Sequence, residues 1–377
     1  MWRGFCEDGM LEGLRIIEIE GLGPAPFAAM MLADLGTDVI VVHRKNGRPA
    51  PGMPERSLID RGKRSIELDL KSADDVAVLK SLVGRSEALI EGFRPGVMER
   101  LGLGPDDLSA VNPDLVYGRM TGWGQTGPRA QTAGHDLNYV SLSGAAWYAS
   151  NQGEPPFTPP TLVGDIGGGA LYLVAGILAG VMAARAGRGG TVVDAAIVDG
   201  SAHMMNLLMA LAQTGGLSMT RGQSLLDGPH WSRCYACADG GYISVQCLEP
   251  KFYAEFLSRL NLAEDADFKA QFDAARWPQQ TALMAGIFAR HPRTHWEQVF
   301  AGSDACVAPA LDPRQSMSEP HMAARGVWQD IDGALQAAAA PRFSTELSTA
   351  PHAIPARGEH TQSVLDWLAS GSDEQNS

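Results

Sequence analysis

The sequence predicts an α/β protein: a large domain built on a parallel sheet, a smaller α+β domain, and a C-terminal return to the first. Three observations predict it. Short apolar runs alternate with helical stretches through the first half of the chain. A linker of glycine and polar residues between Gly215 and Gly228 precedes a second, mixed set of elements. A proline-rich stretch, Pro341 to Pro355, then leads to one last short helix. The expected boundaries are 11–215 for the N-terminal part of the large domain, 216–325 for linker and small domain, and 326–370 for the return.

Leu14–Ile19 reads as a buried strand. The loop Gly21-Leu-Gly-Pro-Ala-Pro26 follows, then an apolar helical stretch through Ala28, Met31 and Leu32 to Gly36, and a second strand over Asp38–Val42. This is a βαβ unit with the look of a nucleotide-binding fold. The alternation continues with strand Ser65–Leu70, helix Asp74–Val83 and strands Ala88–Phe93 and Leu115–Met120. Ile166–Ala184 opens with three consecutive glycines and carries no charge; it is long enough to span a bilayer, but one such segment without an aromatic belt reads better as a wholly buried helix, covered in part by a second subunit. Strand Gly190–Val193 and a methionine-rich helix up to Gln213 close this part. Beyond the linker, Gly241–Gln246 is a strand and Pro250–Leu260 a helix with proline at its first position. Two more helices precede Val307, and Thr361–Leu368 is the final helix.

Composition narrows the function. The chain is 377 residues long, with 45% hydrophobic and 19% charged residues and a formal net charge of −13, so it repels nucleic acid and anionic membranes. Five scattered cysteines and the absence of an apolar leader point to a reducing, cytoplasmic setting. The pair Cys234–Cys237 lacks the second pair and the strand-to-helix context of a metal or redox motif, and reads as free thiols in a strand.

In so acidic a chain, clustered cations carry information. Gly21-x-Gly23-x-x-Pro26 is a poor dinucleotide fingerprint, and His43-Arg44-Lys45 stands where an acidic residue would bind a ribose. Cations at a strand's carboxyl end suit a phosphate instead, either the 2′-phosphate of NADP or the 3′-phosphate of coenzyme A. Arg61-Gly-Lys63-Arg64 and Arg94-Pro-Gly96 add to the pattern, against the alternative of solvated surface charge. Three candidates for chemistry remain. His135 follows a glycine that would let the backbone approach a ligand. Asp165 stands at the N-terminal edge of the apolar helix as an expected N-cap, before three glycines whose bare N–H groups would face a thioester oxygen. Glu249 precedes the Pro250 helix, where the dipole favours a carboxylate. Met204, Met205, Leu207 and Met209 read as core, or as a surface that adapts to varied acyl chains.

Taken together, these segments resemble the family III CoA-transferases and, within them, the α-methylacyl-CoA racemases. The similarity runs from Leu11 to about Phe343. It is carried by Arg61-Gly-Lys-Arg-Ser65 with Leu68-Asp-Leu-Lys71, Phe93-Arg-Pro-Gly-Val97, Met120-Thr-Gly-Trp-Gly-Gln-Thr-Gly-Pro128 and Gly134-His-Asp-Leu-Asn-Tyr139. Val193-Asp-Ala-Ala-Ile-Val-Asp-Gly200, Ser303-Asp-Ala-Cys-Val307 and Gly358-Glu-His-Thr361 extend it.

The resemblance implies a Rossmann-like large domain, a small domain and an interlocked homodimer with its active site at the subunit interface. It implies that His135 and Asp165 form one acid/base unit and Glu249 the other, inverting C2 of a 2-methyl-branched acyl-CoA through an enolate. It implies CoA and substrate binding by Arg44, Leu68, Asp69, Leu70, Lys71, Arg94, Gly134, Asp136, Asn138 and Tyr139. No metal or separate cofactor is required, since coenzyme A is part of the substrate. The alternative within the family is CoA transfer between carboxylic acids with Asp165 as nucleophile. One departure from the racemase pattern is Gly228-Pro-His-Trp-Ser-Arg-Cys-Tyr235, a residue shorter than usual, where His230, Trp231 and Arg233 could reshape an acyl pocket and Arg233 could pair with a substrate carboxylate.

Overall fold

Six strands pair in parallel: β1 (Arg15–Ile19), β2 (Asp38–Arg44), β3 (Arg64–Leu68), β4 (Ala88–Glu91), β5 (Val116–Thr121) and β6 (Thr191–Ala196). Their order across the sheet is β3-β2-β1-β4-β5-β6, so the direction of winding reverses between β1 and β4. Open α/β sheets bind ligands outside the carboxyl ends of the strands at such a reversal. This computed structural model describes residues 9–48, 54–331, 333–344 and 353–371, so most of the proline-rich stretch from Pro341 to Pro355 falls outside it.

The strands are nearly continuous apolar runs because both faces of the sheet are covered. Successive residues point to opposite faces, and Ile16 and Ile17 accordingly belong to different cores. On the Ile16 side, the Pro24–Asp34 helix packs through Ala28, Ala29 and Leu32, and the Leu171–Ala183 helix through Leu173 and Ile177. On the Ile17 side lie Leu79 and Leu82 of the Ala73–Val83 helix, with Val364 and Trp367 of the Thr361–Ser370 helix.

The edge strand β3 is covered by the C-terminal segment. Ser65 and Glu67 donate their N–H groups to His360 Nδ1 and Thr361 Oγ1, each at 3.0 Å, and His360 N–H donates to the Ser65 carbonyl at 2.8 Å. Gly358-Glu-His-Thr361 is therefore an edge-capping clip, which removes an open row of peptide groups.

Contact density divides the chain into two compact units. The first comprises 1–145, 158–204 and 336–377; the second comprises 146–157 and 205–335. The second has an antiparallel sheet of β7 (Ser232–Ala236), β8 (Tyr242–Gln246) and β9 (Val307–Ala310), in that order. Aromatic residues on its helices fill its core: Tyr253 and Phe256, then Phe288, Trp296 and Phe300.

The apolar segment is helical over Leu162–Arg188, the one helix among the described residues long and apolar enough to cross a membrane. Its first nine residues, Leu162–Ala170, are π-helical. Within this chain 44% of its most apolar window is buried, so the chain alone does not complete the expected burial. Leu173, Ile177 and Gly180 face the sheet, whereas Leu171 and Met182 are 43% and 73% exposed.

Candidate active site

Asp165 is placed by two elements that converge on it. The Asp136–Ser143 helix starts with His135 as its N-cap, in extended backbone geometry. Asn138 Oδ1 accepts the His135 N–H at 3.1 Å, and Tyr139 Oη donates to the Gly134 carbonyl, so the whole Gly134–Tyr139 segment is closed on itself. Gly134 serves this packing: a Cβ there would lie 2.8 Å from Tyr139 and 2.9 Å from Trp123. The expectation that it makes room for a ligand is replaced by close contact with two aromatic rings.

Asp136 is buried and joins the helix to the π-helical turn. Its Oδ1 accepts the Asp165 N–H at 2.9 Å and its Oδ2 the Thr161 N–H at 3.2 Å. The Ile166 N–H donates to the Thr161 carbonyl at 3.0 Å. These bonds bear on two expectations. Asp165 lies within the first turn and is not the N-cap, a position held by Thr161 in left-handed geometry. The N–H groups of Asp165 and Ile166, which precede the glycines expected to face a thioester oxygen, are already engaged inside the protein. The following glycines answer to packing as well, since a Cβ on Gly168 would lie 2.4 Å from Ser201 Oγ.

The electrostatics single out Asp165. Burial pushes its carboxyl up to about 6, the neighbouring Asp136 charge adds to the rise, and His135 opposes it. Burial also raises the Tyr139 hydroxyl, with Asp165 adding and Arg94 subtracting. His135, Asp136, Tyr139, Arg94 and Asp165 thus act on one another, although they come from three separate stretches of sequence. His135 itself is exposed.

Beside Asp165 opens a cavity of about 380 Å³. Leu22, Phe27, Val41, Ile59 and Ile166 form apolar walls, and Glu18, Glu20, His43, Asp60 and Arg357 supply polar groups. Most of these were missed from sequence. The available signal was the pair Glu18 and Glu20 at the carboxyl end of an otherwise apolar strand.

The candidate phosphate-binding cations separate into two groups. Arg61 is buried and paired with Asp34 at 2.5 Å, Lys63 is buried and paired with Glu18 at 2.6 Å, and Arg64 pairs with Asp38. His43 is also buried, its Nδ1 3.3 Å from Glu20. These four are internal counter-ions. Arg44 and Lys71, by contrast, are exposed, and Arg44 is in register with Leu68 across β2 and β3. The Leu68 carbonyl accepts the Lys45 N–H at 3.0 Å, and Asp69 Oδ1 accepts the Lys71 N–H at 3.1 Å. Arg44 and the Leu68-Asp69-Leu70-Lys71 turn therefore form one surface at the sheet's carboxyl edge. Arg94 is exposed just beyond β4.

In the second unit, Glu249 is exposed at the N-cap position of the Pro250–Arg259 helix, but its side chain makes no capping bond. The Gly228–Tyr235 loop is inward-facing. His230 and Trp231 are fully buried, and His230 Nε2 pairs with Tyr253 Oη at 2.8 Å. Arg233 donates to the carbonyls of Pro229 and Asp227 at 3.3 and 3.2 Å, so its guanidinium ties the loop together and is not presented to a substrate carboxylate. Cys234, on β7, and Cys237, just beyond it, are free thiols, and no metal-binding cluster occurs among the described residues.

Comparison with known proteins agrees with this architecture. A family model described as CoA-transferase family III matches residues 11–361. An alpha-methylacyl-CoA racemase of Mus musculus is 38% identical over 94% of this chain and 92% of its own length. The Homo sapiens protein of the same name is 37% identical over 97% and 94%. The crystal structure of a CaiB/BaiF family protein from Brucella suis superposes with a TM-score of 0.80, at 25% identity, covering 96% of this chain and all of that one.

Proposed function

This chain belongs to CoA-transferase family III, and from that premise we propose that it is an acyl-CoA racemase that inverts C2 of 2-methyl-branched acyl thioesters. The observation that carries the reading is Asp165: a half-buried carboxyl, raised to about 6, next to His135 and lining a largely apolar cavity. A group that exchanges a proton with carbon works best when its pKa lies near the working pH.

The C2 hydrogen of a thioester is acidic because the anion left behind delocalises onto the carbonyl oxygen. His135 and Asp165 act as one acid/base unit and Glu249 as the other. One removes the C2 proton, the second returns a proton to the opposite face, and the centre inverts. Arg44 and the Leu68–Lys71 turn bind the CoA phosphate and adenine portions, with Arg94 contributing charge nearer Asp165. Coenzyme A is a part of the substrate, and the scheme uses no other cofactor. We read the assembly as a homodimer, supported by the exposed apolar side of the Leu162–Arg188 helix.

The test is C2 exchange. Incubated in deuterated buffer with (2R)-2-methylacyl-CoA, the protein should introduce one deuterium at C2 and yield both hands. Replacing His135 with Ala or Glu249 with Gln should slow inversion by roughly 10²–10⁴-fold. Neither label nor inversion would sink the racemase; CoA appearing on an added carboxylic acid, with Asp165 trapped by hydroxylamine, would establish transfer in its place.

A further inference from the structure

The cavity beside Asp165 is lined in part by an ion cluster that the racemase scheme does not use. Glu20 and Arg357 meet there as a two-pronged pair: Arg357 Nη1 contacts Glu20 Oε1, and Nη2 donates to Oε2 at 3.1 Å. Arg357 Nη1 also lies 3.0 Å from His43 Nδ1, and Glu20 Oε2 accepts the Arg44 N–H at 3.0 Å. The Arg357 side chain is only 11% exposed.

The charges lining the cavity are unequal. Five carboxyls reach it, from Glu18, Glu20, Glu55, Asp60 and Asp165, against one permanently charged cation, Arg357. Lys63 lies behind the wall and is divided between Glu18 at 2.6 Å and Asp60 at 3.3 Å. The cavity therefore combines apolar walls with an excess of carboxyls over cations among its described lining residues. A carboxylate entering it would meet like charge in a poorly hydrated space, and the guanidinium that could receive it is already filled by Glu20.

We infer that this cavity receives the acyl chain and that Glu20 is a specificity-determining residue: by occupying Arg357 it excludes acyl-CoA substrates that carry a second carboxylate. Specificity of this kind works through an element that repels the wrong ligand. Without the Glu20 charge, Arg357 would be a partly buried guanidinium that has lost its two-pronged carboxylate, and an incoming carboxylate could take that place. The inference rests on the acyl-CoA reading above and names its substrate class as acyl groups with an uncharged end.

The experiment compares two thioesters of equal length, 2-methyloctanoyl-CoA and 7-carboxy-2-methylheptanoyl-CoA, by direct binding and by C2 deuterium exchange. Wild type should favour the uncharged one. Glu20→Gln should shift the binding ratio toward the carboxylated thioester by about tenfold or more. The double variant with Arg357→Gln should lose that gain. Arg357→Gln alone, which removes the one permanently charged cation among the described lining residues, should reject the carboxylated thioester more steeply and stands in if Glu20→Gln fails to fold.

A folded Glu20→Gln protein with an unchanged ratio would overturn the inference. So would equal weakening of both thioesters, which would place the pantetheine arm of CoA in the cavity. The proposed racemase stands or falls separately: wild type that binds both thioesters without exchanging C2 refutes it, while the binding ratio still judges Glu20.

Discussion

Asp136 acts on Asp165 in two opposed ways. Its Oδ1 accepts the Asp165 N–H and so fixes the backbone, while its charge helps to lift the Asp165 carboxyl to about 6. Replacing Asp136 with Asn keeps an acceptor oxygen and removes the charge. The acidic limb of kcat/KM, which reports the free enzyme, should then move to lower pH. The sign follows from the cause: a like charge disfavours ionisation, so its loss lets Asp165 ionise earlier as pH rises. The shift should be less than the whole rise above the usual carboxylate value, because burial is the larger cause and remains. A pH–rate profile with an unmoved or raised limb would contradict the coupling. A second residue-scale prediction concerns Lys63, which is fully buried against Glu18, itself 1% exposed. Burial pushes the Glu18 carboxyl up to about 7 against the pull of Lys63. Lys63→Met would leave Glu18 without its counter-ion and should cost about 3–5 kcal/mol in urea unfolding. Glu18→Gln in the same chain should recover part of that loss, since it removes the orphaned charge. Sequence shows a cation without showing its partner. Arg61, Lys63 and Arg64 find theirs 26 to 45 residues away, and this is why they resembled a phosphate site.

Elements differed in legibility for physical reasons. The strands of the parallel sheet were visible as apolar runs, because burial on both faces leaves few polar positions to obscure them. The Asp136–Ser143 helix was not: it is eight residues long and mixes buried Tyr139 and Val140 with exposed Leu137 and Leu142, so no clean apolar stripe marks it. The start of the apolar helix was misplaced by four residues for a related reason. Asp165 resembles an N-cap in sequence, but the chain turns earlier, at Thr161 with φ 60°, and the π-helical turn carries Asp165 inward. Glycine makes that turn possible. The Gly168 backbone meets the Ile197–Met204 helix so closely that a Cβ would lie 2.4 Å from Ser201 Oγ and 2.7 Å from Ser201 N. Gly168→Ala should therefore destabilise the fold by about 1–3 kcal/mol, the usual cost of overpacking. The midpoint of urea unfolding measures it, and an unchanged midpoint would show that the two elements can separate at no cost. Since Gly168 lies three residues from Asp165, C2 exchange should fall in the folded variant as well.

At the scale of the molecule, the sequence suggested a glycine-rich linker over Gly215–Gly228, whereas the two compact units part at 204/205, between the Ile197–Met204 and Asn206–Ala212 helices. Asp165 and His135 belong to the first unit and Glu249 to the second, so their proposed pairing rests on the family resemblance and on no periodicity of the sequence. The Leu162–Arg188 helix raises the remaining question of what covers its outer side. Passage through a bilayer is hard to reconcile with its inner side, where Leu173 and Ile177 pack directly on β5 at Gly118 and belong to the sheet's own core. A Cβ on Gly118 would lie 2.9 and 2.8 Å from those two side chains, so the contact leaves no room for lipid. The proposed second copy of the chain would serve as that cover, because it could bury Leu171 and Met182 without disturbing the sheet. Replacing both with Glu places two charges in that interface, while the isolated fold, in which Met182 is 73% exposed, should lose little. Light scattering should then give a mass of about two chains for the native protein and about one for the variant, with unchanged circular dichroism. A native protein that runs as one chain at micromolar concentration would refute the homodimer. A variant that stays dimeric would move the interface to another face of the molecule.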